Sequence, residues 1–335
     1  MAVFWSQIGR GYIVNNFDFV SFSNSVEEDS LAVLKGLDSK TQKTIDSKYF
    51  YDEKGSILFD KITKLDDYYP TKTECEILEK NEDKISKRLP SNSVVIEFGS
   101  GSNQKIKKLL KAINNPTEYI PIDISKEFLL KNAKKSAKDF PDLKIKAVCA
   151  DFDQTDLLQK TIDSNKSKIG FFPGSTIGNY SPEDAKKLLI NFSRILGKQN
   201  FLVIGVDLKK DIEVLEKAYN DSKGLTAEFN KNILNGVNKI FGPIFDSNLF
   251  SHKAFFNKKK SRIEMHLVSK KKQVVNVLNT EILFKEGETI HTENSYKYSV
   301  TSFQNLAESS NFEMIDILQD KKSFFGVFIM KVKDI

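Results

Sequence analysis

The sequence predicts an α/β fold, a Rossmann-like parallel sheet that carries an additional α+β lobe, on three observations. From about Val94 to Asp207, apolar strand-like runs alternate with amphipathic helical stretches, the pattern of βαβ units with right-handed crossovers. The first run, Val94-Val95-Ile96-Glu97-Phe98, passes directly into Gly99-Ser100-Gly101-Ser102 and then a helical pattern. A parallel strand meets a helix N-terminus in this way over a nucleotide-like ligand. After Asp207 the pattern changes to short alternating runs separated by Lys- or Asn-rich turns, which signals antiparallel hairpins.

Taken in order, the parallel strands are expected at 94–98, 119–122, 145–149, 169–172 and 201–206. Each is a short apolar run of the kind buried on both faces. Helices are expected between them at 104–113, 126–138 and 182–196. Ser181-Pro182-Glu183-Asp184 starts the last of these with an N-cap, a first-position proline and first-turn acids. Two helices follow at 211–219 and 226–234, broken near Gly224, and then hairpin strands at 253–256, 262–267, 273–277 and 281–284. The runs at 312–317 and 324–332 can rejoin the parallel sheet as an antiparallel edge. The expected division is a ligand-binding domain at 72–208 plus 298–335 and a cap at 31–71 plus 209–297. An N-terminal extension, 1–30, has no assigned role.

A chain of 335 residues is long for one core, and 40% hydrophobic content fills two. Net charge is +6, from 51 basic and 45 acidic residues spread along the chain. Lys258-Lys259-Lys260 and Lys270-Lys271-Lys272 lie between alternating runs and read as solvated turns. No arginines or aromatics interleave them as a nucleic-acid patch would require. Cys75 and Cys149 stand far apart, which suits a reducing compartment without a disulfide framework. His252, His266 and His291 show no ligand spacing, so no metal site is expected. No apolar run reaches the ~20 residues needed to span a membrane, and Met1–Gln7 lacks the pattern of a secretory signal. A soluble, cytoplasmic protein is expected.

The ligand follows from the strand ends. Gly99 and Gly101 allow close approach of the backbone. Asp123 closes the second strand 22 positions after Gly101, where an acid reaches ribose hydroxyls. Ala150-Asp151-Phe152 follows the third strand and offers an acid and an aromatic to adenine. The third glycine of the dinucleotide fingerprint is missing, with Asn103 in its place, and no Gly-Lys-Ser/Thr phosphate loop exists. A sulfonium cofactor has no pyrophosphate to accommodate, so S-adenosyl-L-methionine fits better than NAD. A Gly-rich turn also occurs as a plain tight turn, and the strand-end acids are what favour the cofactor.

Five further segments carry a resemblance. Tyr49–Ser56, Asp67–Glu74, Gly174-Ser175-Thr176-Ile177-Gly178-Asn179, Glu228-Phe229-Asn230 and Thr292-Glu293-Asn294-Ser295-Tyr296-Lys297 resemble, in order, the histidine-specific Nα-methyltransferases of ergothioneine biosynthesis. The likeness runs from about Leu37 to the C-terminus. It implies a class I methyltransferase sheet with a substrate-binding cap, a monomer, and S-adenosylmethionine-dependent trimethylation of the α-amine of L-histidine to hercynine. By the same resemblance, Asn179 and Tyr219 hold the substrate carboxylate, and Tyr68, Glu293 and Ser295 hold the imidazole. Tyr51 lies near the amine through water, with Gly174 backbone beside it. Gly99, Gly101, Lys105, Asp123, Asp151 and Phe152 line the cofactor.

The chemistry is consistent with those residue types. A buried carboxylate at Glu293 accepts an imidazole N–H in a charge-assisted bond, and Ser295, two positions on, shares its face of an extended segment. Without the resemblance, each residue has a plainer reading. Tyr68 then packs a domain junction, Asn179 ends a turn, Glu293 and Ser295 sit on a solvated face, and Tyr219 is core. The competing functions are a same-fold N-methyltransferase acting on another amino acid or small amine, an RNA-binding methyltransferase, and a catalytically dead relative. Glu293 argues against the first, the missing RNA-binding module against the second, and the intact glycine loop against the third.

Overall fold

The structure is a computed structural model that describes residues 16–22, 26–162 and 164–334. Met1–Gln7 and most of the expected extension lie outside these residues. The strands of the first half are β1 (Phe17–Ser21), β2 (Lys43–Thr44), β3 (Val94–Phe98), β4 (Glu118–Asp123), β5 (Lys144–Cys149), β6 (Lys168–Phe172) and β7 (Phe201–Asp207). Those of the second half are β8 (Phe250–Asn257), β9 (Arg262–Ser269), β10 (Gln273–Val277), β11 (Thr280–Phe284), β12 (Thr289–Tyr296), β13 (Phe312–Gln319) and β14 (Phe325–Val332).

The main sheet has eight strands in the order β1-β5-β4-β3-β6-β7-β14-β13. The six from β1 to β7 in that order run parallel. Strand order reverses between β3 and β6, and such switch points leave a crevice at the carboxyl ends of the strands. β14 pairs antiparallel with β7, and β13 with β14, which is the expected antiparallel edge. Val95, Tyr119, Ile145 and Val203 point to one buried face, while Ile96, Phe98, Ile120 and Ile204 point to the other. Burial on both faces is why these strands read as continuous apolar runs.

Residues 17–21, placed by the sequence reading in an extension without a role, form the edge strand β1 beside β5. Phe17 and Phe19 pack on the sheet core, and the Asn16 side-chain amide donates to the Leu143 carbonyl at 2.8 Å. A five-residue strand with one polar interruption is too short for periodicity alone to reveal.

The second lobe is built on a four-stranded sheet, β2-β12-β9-β8, and a β10–β11 hairpin. Helices Glu53–Ile62 and Leu225–Phe241 pack on this sheet around Phe50, Leu58, Phe229, Ile233 and Met265. Both lysine triplets are exposed and flank β9, at the turn from β8 and on the link to β10. The helix expected at 226–234 is longer than its pattern, because tertiary packing carries it past Asn235 and Gly236. Gly236 lies against the carbonyl of Tyr49, and a Cβ there would sit 2.2 Å from that oxygen. Gly→Ala in an open helix stabilises by ~1 kcal/mol. Here Gly236→Ala should instead destabilise by about 1–3 kcal/mol through overpacking, read as a lower thermal midpoint.

Candidate active site

The crevice is built first by the turn after β3. Gly99 has φ +76°, a conformation glycine adopts without steric cost, and the N–H groups of Gly99 and Ser100 both donate to the Ile122 carbonyl at 2.9 Å. The turn is thereby fastened over the end of β4. Among the described residues nothing lies within 4 Å of where a Gly101 Cβ would be, so this backbone is open to a ligand's approach. Asn103 is more than a substitute for a glycine. Its amide donates to the Asn132 carbonyl at 2.9 Å, and the Asn132 amide donates back to Gly101 at 3.0 Å. The acid before the glycines, Glu97, is turned inward, where it accepts from the Tyr119 phenol and burial raises its pKa to about 7.

Asp123 ends β4 with one carboxylate oxygen accepting the Ser125 N–H at 2.8 Å. Burial raises its pKa to about 7 against the opposing effect of the Ser125 and Ile124 backbone N–H groups. Asp151 follows β5 and accepts the Asp153 N–H at 3.2 Å. Phe152 packs edge-on against Phe98 and Phe172, with centroids 6.1 and 5.9 Å away. A cavity of about 510 Å³ runs from Ile124 and Asp151 past Tyr51 to Ser21 and Phe22. Phe22 extends β1 by one bond to the Cys149 carbonyl, so the edge strand missed in sequence walls this cavity.

Lys105, from helix Gln104–Ala112, reaches Glu74 Oε2 at 2.7 Å. Glu74 is fully buried on helix Tyr69–Lys80 and also accepts the Gly174 N–H at 2.9 Å. Gly174 itself has φ +82°. One carboxylate therefore ties a helix, the turn after β6 and the lysine at the crevice.

On the other side of the crevice, Tyr68 and Tyr219 meet edge to face at 6.4 Å. The Tyr219 phenol donates to Ser295 Oγ at 2.8 Å, so two residues expected to hold opposite ends of a ligand adjoin directly. Tyr51 packs on Phe59 and Phe229. Its phenol is held neutral, chiefly by burial and next by the charge of Glu293, with Asp123 also acting on it. Tyr51 is thus within electrostatic reach of both Asp123 and Glu293, and it lines the same cavity as Asp151. Burial likewise raises the pKa of Tyr68 and Tyr219. Glu293 is half-buried, and its carboxylate makes no hydrogen bond to a described residue, although its carbonyl lies 3.1 Å from His291 Nε2; burial raises the carboxyl pKa to about 7 against the opposing pull of Lys297. Asn179 ends the short turn Thr176–Asn179, which packs on β12. Its amide makes no bond to Tyr219, Ser295 or any other described residue.

A family model for histidine-specific, S-adenosylmethionine-dependent methyltransferases matches residues 27–332. The chain belongs to that family. It is 35% identical over 318 residues to a histidine N-alpha-methyltransferase of Mycobacterium tuberculosis, spanning 92% of this chain and 98% of the relative. A histidine N-alpha-methyltransferase of Mycolicibacterium smegmatis is 36% identical over 83% of this chain and 89% of its own. A 4-dimethylallyltryptophan N-methyltransferase of Aspergillus fumigatus is more distant, at 26% over 84% of this chain and 87% of its own.

This methyltransferase fits its cofactor on the geometry above: an open approach at Gly101, the buried Asp123 carboxyl at the end of β4, and a cavity beyond β5 that Asp151 lines. Two groups at the substrate end went unassigned in the sequence reading. Thr292 sits at a β-bulge between His291 and Glu293, and bulges re-aim side chains. Thr292 Oγ1, with one hydrogen to give, lies 2.7 Å from Asn230 Oδ1 and 3.0 Å from the Met265 carbonyl and shares that hydrogen between the two acceptors. The Asn230 amide also donates to the His266 carbonyl at 3.0 Å. Asn230, quoted only as part of a motif, therefore holds the bulge that aims Glu293. Asn230→Leu should cost about 2–4 kcal/mol, from buried groups left unsatisfied at ~1–3 each, as chemical denaturation will read, and should raise KM for the amino acid more than for the cofactor. The other unassigned group is a buried ion cluster. Asp207, at the end of β7, binds Lys297 at 2.6 Å and Lys210 at 2.5 Å and accepts from the Tyr69 phenol at 2.8 Å. The two lysines hold its pKa low against the opposing effect of burial.

The histidines, which show no ligand spacing along the chain, do gather in space. Register pairing places His291 opposite His266, and Glu264, His266 and His291 offer ligand atoms within 4.8 Å of one another. Linear spacing does not show a group assembled across two strands. Both Glu264 oxygens and both His266 nitrogens already have partners, including Arg262 and Thr289, so the trio reads as a hydrogen-bonded cluster and no metal is assigned to it.

Proposed function

We propose that this enzyme transfers three methyl groups from S-adenosylmethionine to the α-amine of L-histidine, giving Nα,Nα,Nα-trimethylhistidine (hercynine), the first step of ergothioneine biosynthesis. The observation that carries the substrate reading is Glu293, a carboxylate with no hydrogen-bond partner among the described residues, set among tyrosines at the crevice. An azole N–H supplies the missing donor, whereas an apolar side chain leaves the carboxylate buried and unpaired.

Gly99, Gly101, Lys105, Asp123, Asp151 and Phe152 would hold the cofactor, which supplies an electrophilic methyl on a sulfonium. Net charge is conserved in the transfer, so the protein's main work is alignment, worth up to ~7–11 kcal/mol in ideal intramolecular cases. Glu293, Ser295 and Tyr68 grip the ring, while Asn179 and Tyr219 take the carboxylate. The amine has a reference pKa of ~8 and must lose a proton before its lone pair can attack. Tyr51, a neutral phenol, positions the water that carries that proton away, with the Gly174 backbone beside it. We take the monomer as the active unit and the cytoplasm as its compartment.

Purified protein should be incubated with S-adenosylmethionine and each of the twenty amino acids, tryptophan included, with mass read-out. A gain of about 42 mass units on histidine alone, three methylations at roughly 14 each, supports the reading. Modification of tryptophan or another amine in place of histidine assigns the enzyme to a different substrate.

A further inference from the structure

Asp207 ends β7 of the main sheet and is fully buried, and its polar groups lead to three separate parts of the substrate end of the crevice. Its carboxylate binds Lys297 at 2.6 Å. An ammonium has three N–H groups to give. The acceptors around Lys297 are Asp207, the Ser295 oxygen at 2.7 Å and the Tyr219 oxygen at 3.4 Å. Lys297 therefore fixes both hydroxyl oxygens, whichever of the two donates to the other. The Tyr69 phenol stands 2.8 Å from both carboxylate oxygens of Asp207, and the Lys210 ammonium donates to that phenol at 2.8 Å. Tyr69 opens helix Tyr69–Lys80, with Tyr68 as its N-cap. The main chain of Asp207 adds two ties. Its N–H donates to Ser175 Oγ at 2.9 Å, and its carbonyl accepts the Tyr298 N–H at 3.2 Å. Ser175 has φ +58°, a left-handed conformation that non-glycine residues rarely take, and it stands between Gly174 and Asn179.

We infer that Asp207 is a positioning residue for the amino-acid substrate, holding Ser295 and Tyr219 through Lys297, Tyr68 through Tyr69, and the Gly174–Asn179 turn through Ser175. The inference rests on the proposed reading of those residues as substrate contacts and gives the buried ion cluster a task beyond stability. The contacts come from the main sheet, a helix and the cap, so a small shift of one part against another spoils them together. Charge-assisted bonds to one buried carboxylate hold all three in a single geometry. The glycine turn after β3 is fastened separately, to the Ile122 carbonyl, so the cofactor end does not depend on this cluster.

The test uses the whole enzyme, with steady-state kinetics for histidine, calorimetry of S-adenosylhomocysteine and a thermal melt. Asp207→Asn keeps the main-chain ties and one acceptor for Lys297 but removes the charge. It should raise KM for histidine about 10- to 100-fold, the worth of one hydrogen bond to a charged group. The fall in kcat should be smaller, and S-adenosylhomocysteine affinity should change little. Tyr69→Phe leaves both ion pairs in place and should raise the same KM about 3- to 10-fold, the worth of a neutral hydrogen bond. A residue that only keeps the fold lowers the active fraction, so kcat falls while KM stands. Unchanged KM for histidine in either variant therefore overturns the inference, even where the melting temperature drops. Equal weakening of cofactor and histidine overturns it too. Should Asp207→Asn fail to fold, Tyr69→Phe decides by the same criteria. An unmodified enzyme that leaves histidine unmethylated fails the substrate reading and this inference with it. An active unmodified enzyme with unchanged KM in its variants fails this inference alone.

Discussion

Glu293→Ala lowers kcat/KM for histidine by about 30- to 5,000-fold, the equivalent of ~2–5 kcal/mol for removing one partner of a buried charged pair. The size follows from the surroundings of this carboxylate. It makes no hydrogen bond to a described residue, burial raises its pKa to about 7, and the charge beside it is that of Lys297. The ligand therefore supplies the bond that the protein leaves open. Binding of S-adenosylhomocysteine, measured by calorimetry, should change little, since Glu293 belongs to the cap sheet and the glycine turn to the main sheet. An alanine variant with unchanged efficiency toward histidine would remove Glu293 from the site.

The second large effect is expected at Glu74. Glu74→Ala leaves Lys105 without its carboxylate and the Gly174 N–H without its acceptor. Breaking a buried pair on one side costs about 3–5 kcal/mol, so the thermal midpoint should drop by several degrees or more. The same change frees Lys105 at the crevice and should raise KM for S-adenosylmethionine more than KM for histidine. Glu74→Gln keeps an acceptor but not the charge, and should fall between the two. An alanine variant that melts with the unmodified protein and binds the cofactor equally well contradicts this role. Gly205 gives independent support for the fit, since a Cβ there would stand 2.0 Å from Glu74 Oε1.

The parallel half of the fold is legible because each strand is buried on two faces and each helix on one, so composition and period agree from residue 94 to 207. The turn at Gly99 and the acid at Asp123 are legible for a related reason: backbone approach and a strand-end carboxylate demand particular residue types at a near-fixed spacing. What escaped depends on partners distant in sequence. β1 is defined by pairing with β5, more than 120 residues later. The helix ending at Phe241 is extended by the Tyr49 carbonyl, which packs against Gly236. Glu264, His266 and His291 converge only once β9 and β12 are in register. The candidate substrate residues were named through resemblance, because nothing local separates Glu293 from a solvated strand acid or Tyr219 from core. Lys297 lay inside a quoted motif, yet its burial against Asp207 is a tertiary fact. Charged residues are seldom fully buried, so nothing in the sequence alone gives a reason to place that lysine inside.

The claim on which the account turns is that Glu293 reads the substrate ring, and a crystal structure of the enzyme with histidine and S-adenosylhomocysteine tests it most directly. The account predicts a Glu293 carboxylate oxygen within about 3.2 Å of a ring nitrogen, with the α-amine directed toward the cofactor sulfur. A ring bound elsewhere, with Glu293 facing solvent, would contradict it.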